Sequence, residues 1–248
     1  MINNRIPTTE NSLETLVRFK VPVNSILDVG VQYGTKPLMA IYPDLPHYLF
    51  EPVDQYFNAI HSAYKNFKYK LVHVALSNEN GTAWQIGTSI DDSGKVTHSY
   101  VNDRAITENE LTGGGRKLIE CKPVHKAKLD TIIQELNPNG PWLLKIDVDG
   151  HEIPILHGAE NTLRNTSVVI IEATIPTMFA RAEVLLKAGF QLFDIVDLSY
   201  YYRTLAQVDF IFVRNDIVNA IPELRPWQTK TFAWEAWKPL DHAFFNSR

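Results

Sequence analysis

The run Ile26-Leu27-Asp28-Val29-Gly30-Val31-Gln32-Tyr33-Gly34 constrains the fold more than any other part of the chain. An apolar, strand-like stretch ends in an acid, and two glycines then let the backbone turn tightly and leave it bare. The next apolar stretch, His47 to Phe50, is followed at once by a second acid, Glu51. Strand, glycine turn, helix, strand, acid is the order in which an open α/β sheet holds an adenosine, with the second acid on the ribose hydroxyls. The glycines are spaced G-x-x-x-G rather than G-x-G-x-x-G. That spacing points away from a pyrophosphate ligand and toward S-adenosylmethionine.

The rest of the chain extends this pattern. Asn11 and Glu14 form a capping-box signal that predicts a helix over about 11–20, with Leu13, Leu16 and Val17 on one face. Val23 to Val29 reads as the first strand. Pro37 suits the first turn of a short helix that Pro43 stops. Asp54 is expected to cap a helix carrying Phe57, Ile60 and Tyr64. Leu71 to Leu76 reads as a third strand, and Asn80-Gly81 as a hairpin turn into Thr82 to Ile86. From about 89 to 117 the chain is polar, without sustained period, and contains Gly113-Gly114-Gly115. It is too long for a plain connector, so it is an insertion, either a lid over substrate or a surface loop with no direct role.

Order then resumes. Glu120 to Ala127 is extended, Leu129 to Leu136 helical, and Trp142 to Asp147 a central strand. Ile155 to Leu163 is a helix, Val168 to Glu172 a strand, and Thr177 to Ala188 a helix closed by Gly189. Gln191 to Val196 and Val208 to Val213 are the last strands, joined too closely for a parallel crossover, so the final strand runs antiparallel. The expected class is α/β: one domain over 1–248, a mostly parallel sheet, helices on both faces. An aromatic tail over about 217–248, with Trp227, Trp234 and Trp237, is expected to pack on the body or on a partner, a second copy of the chain included.

Composition narrows the function classes. A net charge of -4 gives no basic footprint for nucleic acid. One cysteine, Cys121, permits no internal disulfide and fits a reducing compartment. The polar start, Met1 to Asn11, lacks the apolar core of a secretory signal, and no apolar run approaches the roughly 20 residues of a membrane span. A cytoplasmic enzyme acting on a small molecule or glycan is the expectation.

The densest chemistry lies in Leu144-Lys145-Ile146-Asp147-Val148-Asp149-Gly150-His151-Glu152. Here the central strand runs out at its carboxyl end, where open α/β sheets place ligands. Alternation puts Lys145, Asp147 and Asp149 on one side if the strand stays extended. His151 is a candidate proton acceptor near neutral pH, and the other seven histidines show no metal-like spacing. Asp147 and Glu172 end neighbouring strands. With Asp149 they could grip substrate hydroxyls or, less favoured, a divalent cation.

These residues resemble a known family. ILDVGVQYG, FEPV, ALSNENG, the late VDFIFVR and above all LLKIDVDGHEIPILHGAENTL are similar to the FkbM-type methyltransferases, over about Ile26 to Arg214. The chain departs from the family at Val31-Gln32, usually Ala-Asn, and at Asp149, usually Glu. The resemblance implies a class I, Rossmann-like methyltransferase that uses S-adenosyl-L-methionine and methylates oxygen, often hydroxyls of sugars or natural products. It implies cofactor roles for Asp28, Gly30, Gly34 and Glu51, a further one for Ser77 near the adenine, and a place for Asp147 where cofactor and acceptor meet. Asp147 or His151 would serve as the base, with Asp149 and Glu172 on hydroxyls. Two rival readings use the same residues: a ligand-binding module without turnover, and a nicotinamide oxidoreductase, which the glycine spacing disfavours.

Overall fold

Apolar side chains alternate along the central strands, and that alternation dictates a sheet covered on both faces. In the computed structural model, which describes residues 6–111 and 115–237, Ile26, Leu143, Ile170 and Ile211 point into one core and Leu27, Leu144, Ile171 and Phe210 into the other. The sheet has seven strands in the order β10-β11-β9-β8-β1-β2-β3. They are β1 (Ser25–Val29), β2 (His47–Phe50), β3 (Tyr69–Val72), β8 (Trp142–Ile146), β9 (Thr166–Thr174), β10 (Phe190–Tyr201) and β11 (Thr204–Arg214). All neighbours pair parallel except β11, which runs antiparallel to both β9 and β10. This is the expected class I methyltransferase arrangement.

Helix α1 (Thr9–Arg18), α2 (Lys36–Ile41) and α8 (Asn215–Ala220) cover one face through Leu13, Leu16, Leu38 and Ile217. The other face is covered by α4 (Leu129–Leu136), α5 (Glu152–His157), α6 (Glu160–Arg164) and α7 (Met178–Lys187), with Ile132, Leu156, Leu163 and Leu185 inward. α3 (Phe57–Ala63) packs Ile60 beside Leu49, Tyr56 and Tyr64 at the β2 end.

Several expectations need correction. The first helix is capped by the Thr8 hydroxyl, which accepts from the Asn11 N–H, so it begins before the Asn11–Glu14 signal, and Val17 is exposed. Asp54 caps nothing through its side chain; it opens a 3-10 turn and pairs with Lys122 at 2.6 Å. The stretch Leu71–Leu76 is two strands, because the chain leaves the large sheet after Val72 and enters a second sheet at β4 (Ala75–Leu76). β4 pairs in parallel with β7 (Lys117–Ala127), so Asn80-Gly81 is no hairpin turn between paired strands. Ile155–Leu163 is broken at Gly158-Ala159 into α5 and α6. Trp227, Trp234 and Trp237 are exposed rather than packed on the body, with Phe232 ringed against the last two. Gly113, Gly114 and positions 238–248 lie outside the described residues.

The second sheet has the order β4-β7-β5-β6 and includes β5 (Gly81–Ser89) and β6 (His98–Asn102). β6 lies within the region read as an unpatterned insertion. It is held to the body by Val96, which is fully buried beside Val31, Val53 and Tyr56 and whose carbonyl accepts from the Tyr56 hydroxyl at 2.8 Å. An unpaired carboxylate at that position costs several kcal/mol. Val96→Asp should therefore free the insertion while the large sheet persists. Limited proteolysis should cut within 89–117 much faster in the variant, with circular dichroism nearly unchanged; equal cutting rates would mean that Val96 does not anchor this segment.

Candidate functional site

The carboxyl ends of β1, β2 and β8 meet at one open cleft of about 240 Å³. Its floor is Gly30, Glu51 and Asp147, and its far wall is Thr97 to Val101 of the insertion. At Gly30 the backbone has φ +78°, and an added Cβ would sit 1.9 Å from the Asp147 carbonyl oxygen. The glycine is thus required by close approach of the β1 and β8 exits to each other, before any ligand is considered.

Glu51 is almost wholly buried. One carboxylate oxygen accepts from the Gln32 N–H and the other from the Val53 N–H, both at 2.9 Å. Burial pushes its carboxyl above the usual range, against the pull of those amides and of Lys145. A carboxylate has about four acceptor sites, so Glu51 keeps acceptor capacity for the cleft that it lines.

Beneath the floor lies Lys145, buried and level with Asp28 across the β1–β8 ladder. Its ammonium donates to the Gly30 carbonyl at 2.8 Å and pairs with Asp147 at 3.2 Å and Asp28 at 3.5 Å. Burial works against the charge, but the two carboxylates outweigh it and hold the lysine above its ordinary value. Asp28 is fully buried on this cation, with the Tyr64 hydroxyl donating to it at 3.4 Å, and does not line the cleft. Gly34 also lies off the cleft, facing Ala63, Tyr64 and Met39.

The turn after β8 carries the remaining candidates. Asp149 lines the cleft and accepts from the Ser99 N–H at 2.9 Å, which ties the insertion strand to this turn. Burial pushes its carboxyl up, while His98, the Ser99 amide and Arg116 pull it down. His151 also lines the cleft, and its Nε2 is 2.9 Å from the Ser77 hydroxyl. Burial, with Lys126 adding, holds the imidazole below its ordinary value of 6.5. Ser77 itself is buried behind His151, not on the cleft wall.

Glu172 sits beside Asp209 across the β9–β11 ladder, outside the cleft lining. Its carboxylate accepts from the Gln207 side-chain amide, and its backbone carbonyl from Arg181, which pairs with buried Glu152. Burial first, then the charges of Asp147 and Asp209, push Glu172 up to about 8. Burial and Asp147 push Asp209 up to about 7. Among the described residues no group of three or more His, Cys, Asp or Glu is arranged to hold a metal ion, so Asp147, Asp149 and Glu172 do not form the ligand set considered for a cation. Sequence reasoning missed Asp209 and the wall from Thr97 to Val101. The lone acid in the apolar run VDFIFVR was the available sign of the first, since a charge in a buried strand requires a partner.

Residues 28–192 match the methyltransferase FkbM domain. The chain belongs to the FkbM methyltransferase family. No curated protein sequence is similar enough to the chain to count as a match. Among solved structures, similar chains include precorrin-6y C5,15-methyltransferase from Geobacter metallireducens, at 15% identity, 85% of this chain and 89% of that one, TM-score 0.43. Aeropyrum pernix fibrillarin with bound S-adenosyl-L-methionine is similar at 14% identity, 77% and 67% coverage and TM-score 0.44. Magnesium protoporphyrin IX methyltransferase from Synechocystis, also with bound cofactor, is similar at 8% identity, 83% and 79% coverage and TM-score 0.43. Likenesses at this level carry no functional information. Among the described residues no helix is long and apolar enough to cross a membrane.

The raised carboxyls give this FkbM-family chain a pH signature. A carboxyl whose folded pKa lies above its unfolded value stabilises the fold at acidic pH and loses that contribution as pH rises through the folded value. For Asp209 and Glu172 those folded values are about 7 and about 8. The lowered histidines His47 and His151 act only as pH falls through 6.5. Urea unfolding from about pH 6.5 to about pH 8 should thus show falling stability that levels off above it, and Asp209→Asn should flatten the slope chiefly in the lower half of that window. An unchanged slope in the variant would show that Asp209 ionises as freely in the fold as outside it.

Proposed function

We propose that the protein transfers the methyl group of S-adenosylmethionine to a hydroxyl oxygen of a sugar or natural-product acceptor. The observation that carries this reading is Glu51. It is a buried carboxylate at the end of β2 whose oxygens are each half-satisfied by a backbone amide and which lines the cleft. Two acceptor oxygens on one rigid carboxylate match the two hydroxyls of a ribose. Val74, Leu76, Val101 and Ile155 give the same cleft an apolar wall suited to a flat purine.

The cofactor would supply a methyl group already activated on a sulfonium. What remains for the chain is to hold the acceptor oxygen in line and remove its proton. His151 is the better base of the two considered. Its imidazole lines the cleft and is kept neutral by burial, whereas the Asp147 carboxylate is already paired with Lys145. Asp147 and Asp149, at the cleft floor, would orient acceptor hydroxyls. The acceptor oxygen gains the methyl as its proton passes to His151, leaving a methyl ether and S-adenosylhomocysteine.

Glu51→Ala removes two charge-assisted hydrogen bonds, each worth about 1.5–3 kcal/mol. Calorimetric affinity for S-adenosylmethionine should fall roughly tenfold or more, with the circular dichroism of the fold retained and the melting temperature lowered by loss of the acceptor for the Gln32 and Val53 amides; unaltered affinity removes the ribose assignment. With labelled cofactor and a pool of hydroxylated acceptors, His151→Ala should lower turnover about 10²–10⁴-fold at nearly constant cofactor affinity. Asp147→Asn should lower it less. If Asp147→Asn gives the larger loss, the base is the carboxylate.

A further inference from the structure

Ser77 is buried, touches a cleft residue and lies outside the cleft itself. Its position is set by backbone contacts. Directly after β4, its N–H donates to the Ala127 carbonyl at 2.9 Å. Its own carbonyl lies so close to Gly158 that a Cβ there would sit 1.9 Å away. The residue is clamped between β7 and the α5–α6 break, so its hydroxyl has little freedom to go elsewhere.

That hydroxyl is 2.9 Å from His151 Nε2 and 3.2 Å from Asn78 Oδ1. A serine has one hydroxyl proton, and a side-chain carbonyl oxygen can only accept. With the Asn78 side-chain carbonyl facing the serine, the hydroxyl proton is directed to Asn78 and the hydroxyl oxygen turns a lone pair toward His151. The matching group on the histidine is an N–H at Nε2. Burial keeps the ring below its ordinary 6.5, with Lys126 pushing the same way and Asp103 opposing. At neutral pH the ring thus carries one proton, and placing it on Nε2 leaves the lone pair on Nδ1. Among the described residues Nδ1 has no hydrogen-bond partner and is not one of the buried unpaired polar atoms, while the ring lines the cleft.

We propose that Ser77, oriented by Asn78, is a positioning residue that fixes His151 as its Nε2–H tautomer and so presents Nδ1 as the proton acceptor. The use of that lone pair on an acceptor hydroxyl rests on the function proposed above; the tautomer does not. Which ring nitrogen carries the proton is set by the bond that the other partner imposes. A small sheet built mainly from outside the β1–β2–β8 floor thereby acts on the reacting group.

Histidine-labelled full-length protein at about pH 7.5, well above the ordinary histidine value, reports the tautomer through long-range proton–nitrogen correlations, with His151→Gln assigning the ring. The expected pattern is a protonated Nε2 and a bare Nδ1. Asn78 is exposed, so its substitution leaves the core intact. Asn78→Ala lets the serine proton turn to Nε2 and should shift the tautomer ratio toward Nδ1–H by roughly two- to tenfold, the worth of one hydrogen bond. Asn78→Asp, which can only accept, should keep the original pattern. Turnover should follow the Nε2–H fraction across the series. A protonated Nδ1 in the unaltered protein, or no response to Asn78→Ala, overturns the proposal. The expected tautomer shifts with normal turnover in His151→Ala would support the positioning role and overturn the base assignment instead.

Discussion

The buried ammonium of Lys145 is the interaction on which the site depends. It reaches the Gly30 carbonyl, Asp147 and Asp28 at once. One contact is a hydrogen bond to the carbonyl and the other two are ion pairs with carboxylates. One cation thus joins the core of β1, the glycine turn and the exit of β8. A buried carboxylate such as Asp28 would be costly alone, and so would the lysine; together they are tolerable because each charge compensates the other. The floor of the cleft is then a consequence of charge balance beneath it. Gly30 belongs to the same unit, since the Asp147 carbonyl occupies the space where its side chain would be.

Around that floor the walls come from different parts of the chain. Beside the floor residue Glu51 at the end of β2, Asp149 and His151 are set by the turn after β8, and Thr97 to Val101 by β6 of the small sheet and the residue before it. The hydrogen bonds from the Ser99 N–H to Asp149 and from the Gln32 side chain to the Thr97 carbonyl close the ring. Gln32 also donates its backbone N–H to Glu51, so the glycine turn, the β2 acid and the insertion share one residue.

What was legible in the sequence follows from range of interaction. His47–Phe50 and Leu129–Leu136 stand in the structure with the boundaries their patterns predicted, because local periodicity and flanking residues decide them. The antiparallel final strand followed from a short connection. The acids after β1, β2 and β8 were visible as strand ends, yet their partners were not. Asp28 faces a lysine far along the chain, and Glu172 is raised in pKa by burial first and then by the charges of Asp147 and Asp209, the last of which periodicity marks only as a polar intruder. The α5–α6 break was hidden for the same reason. Asp130, from α4, accepts from the Asn161 and Thr162 N–H groups and so caps a new helix start from a distance. β6 was missed because an edge strand of mixed polar residues has no apolar alternation to reveal it.

The edge position of β6 has a consequence for how this fold can diversify. In the small sheet β6 pairs, among the described residues, with β5 alone, and at the same time it forms one wall of the cleft. Its ties to Asp149 and Gln32 use the Ser99 N–H and the carbonyl of Thr97, the residue before it, so its side chains can change without removing a partner from either bond or from the ladder. The floor under Lys145 has no such latitude, since each of its members serves another. Wall and scaffold are thereby separable: the cleft is most readily reshaped by randomising the side chains of 97–101, on a base that stays the same.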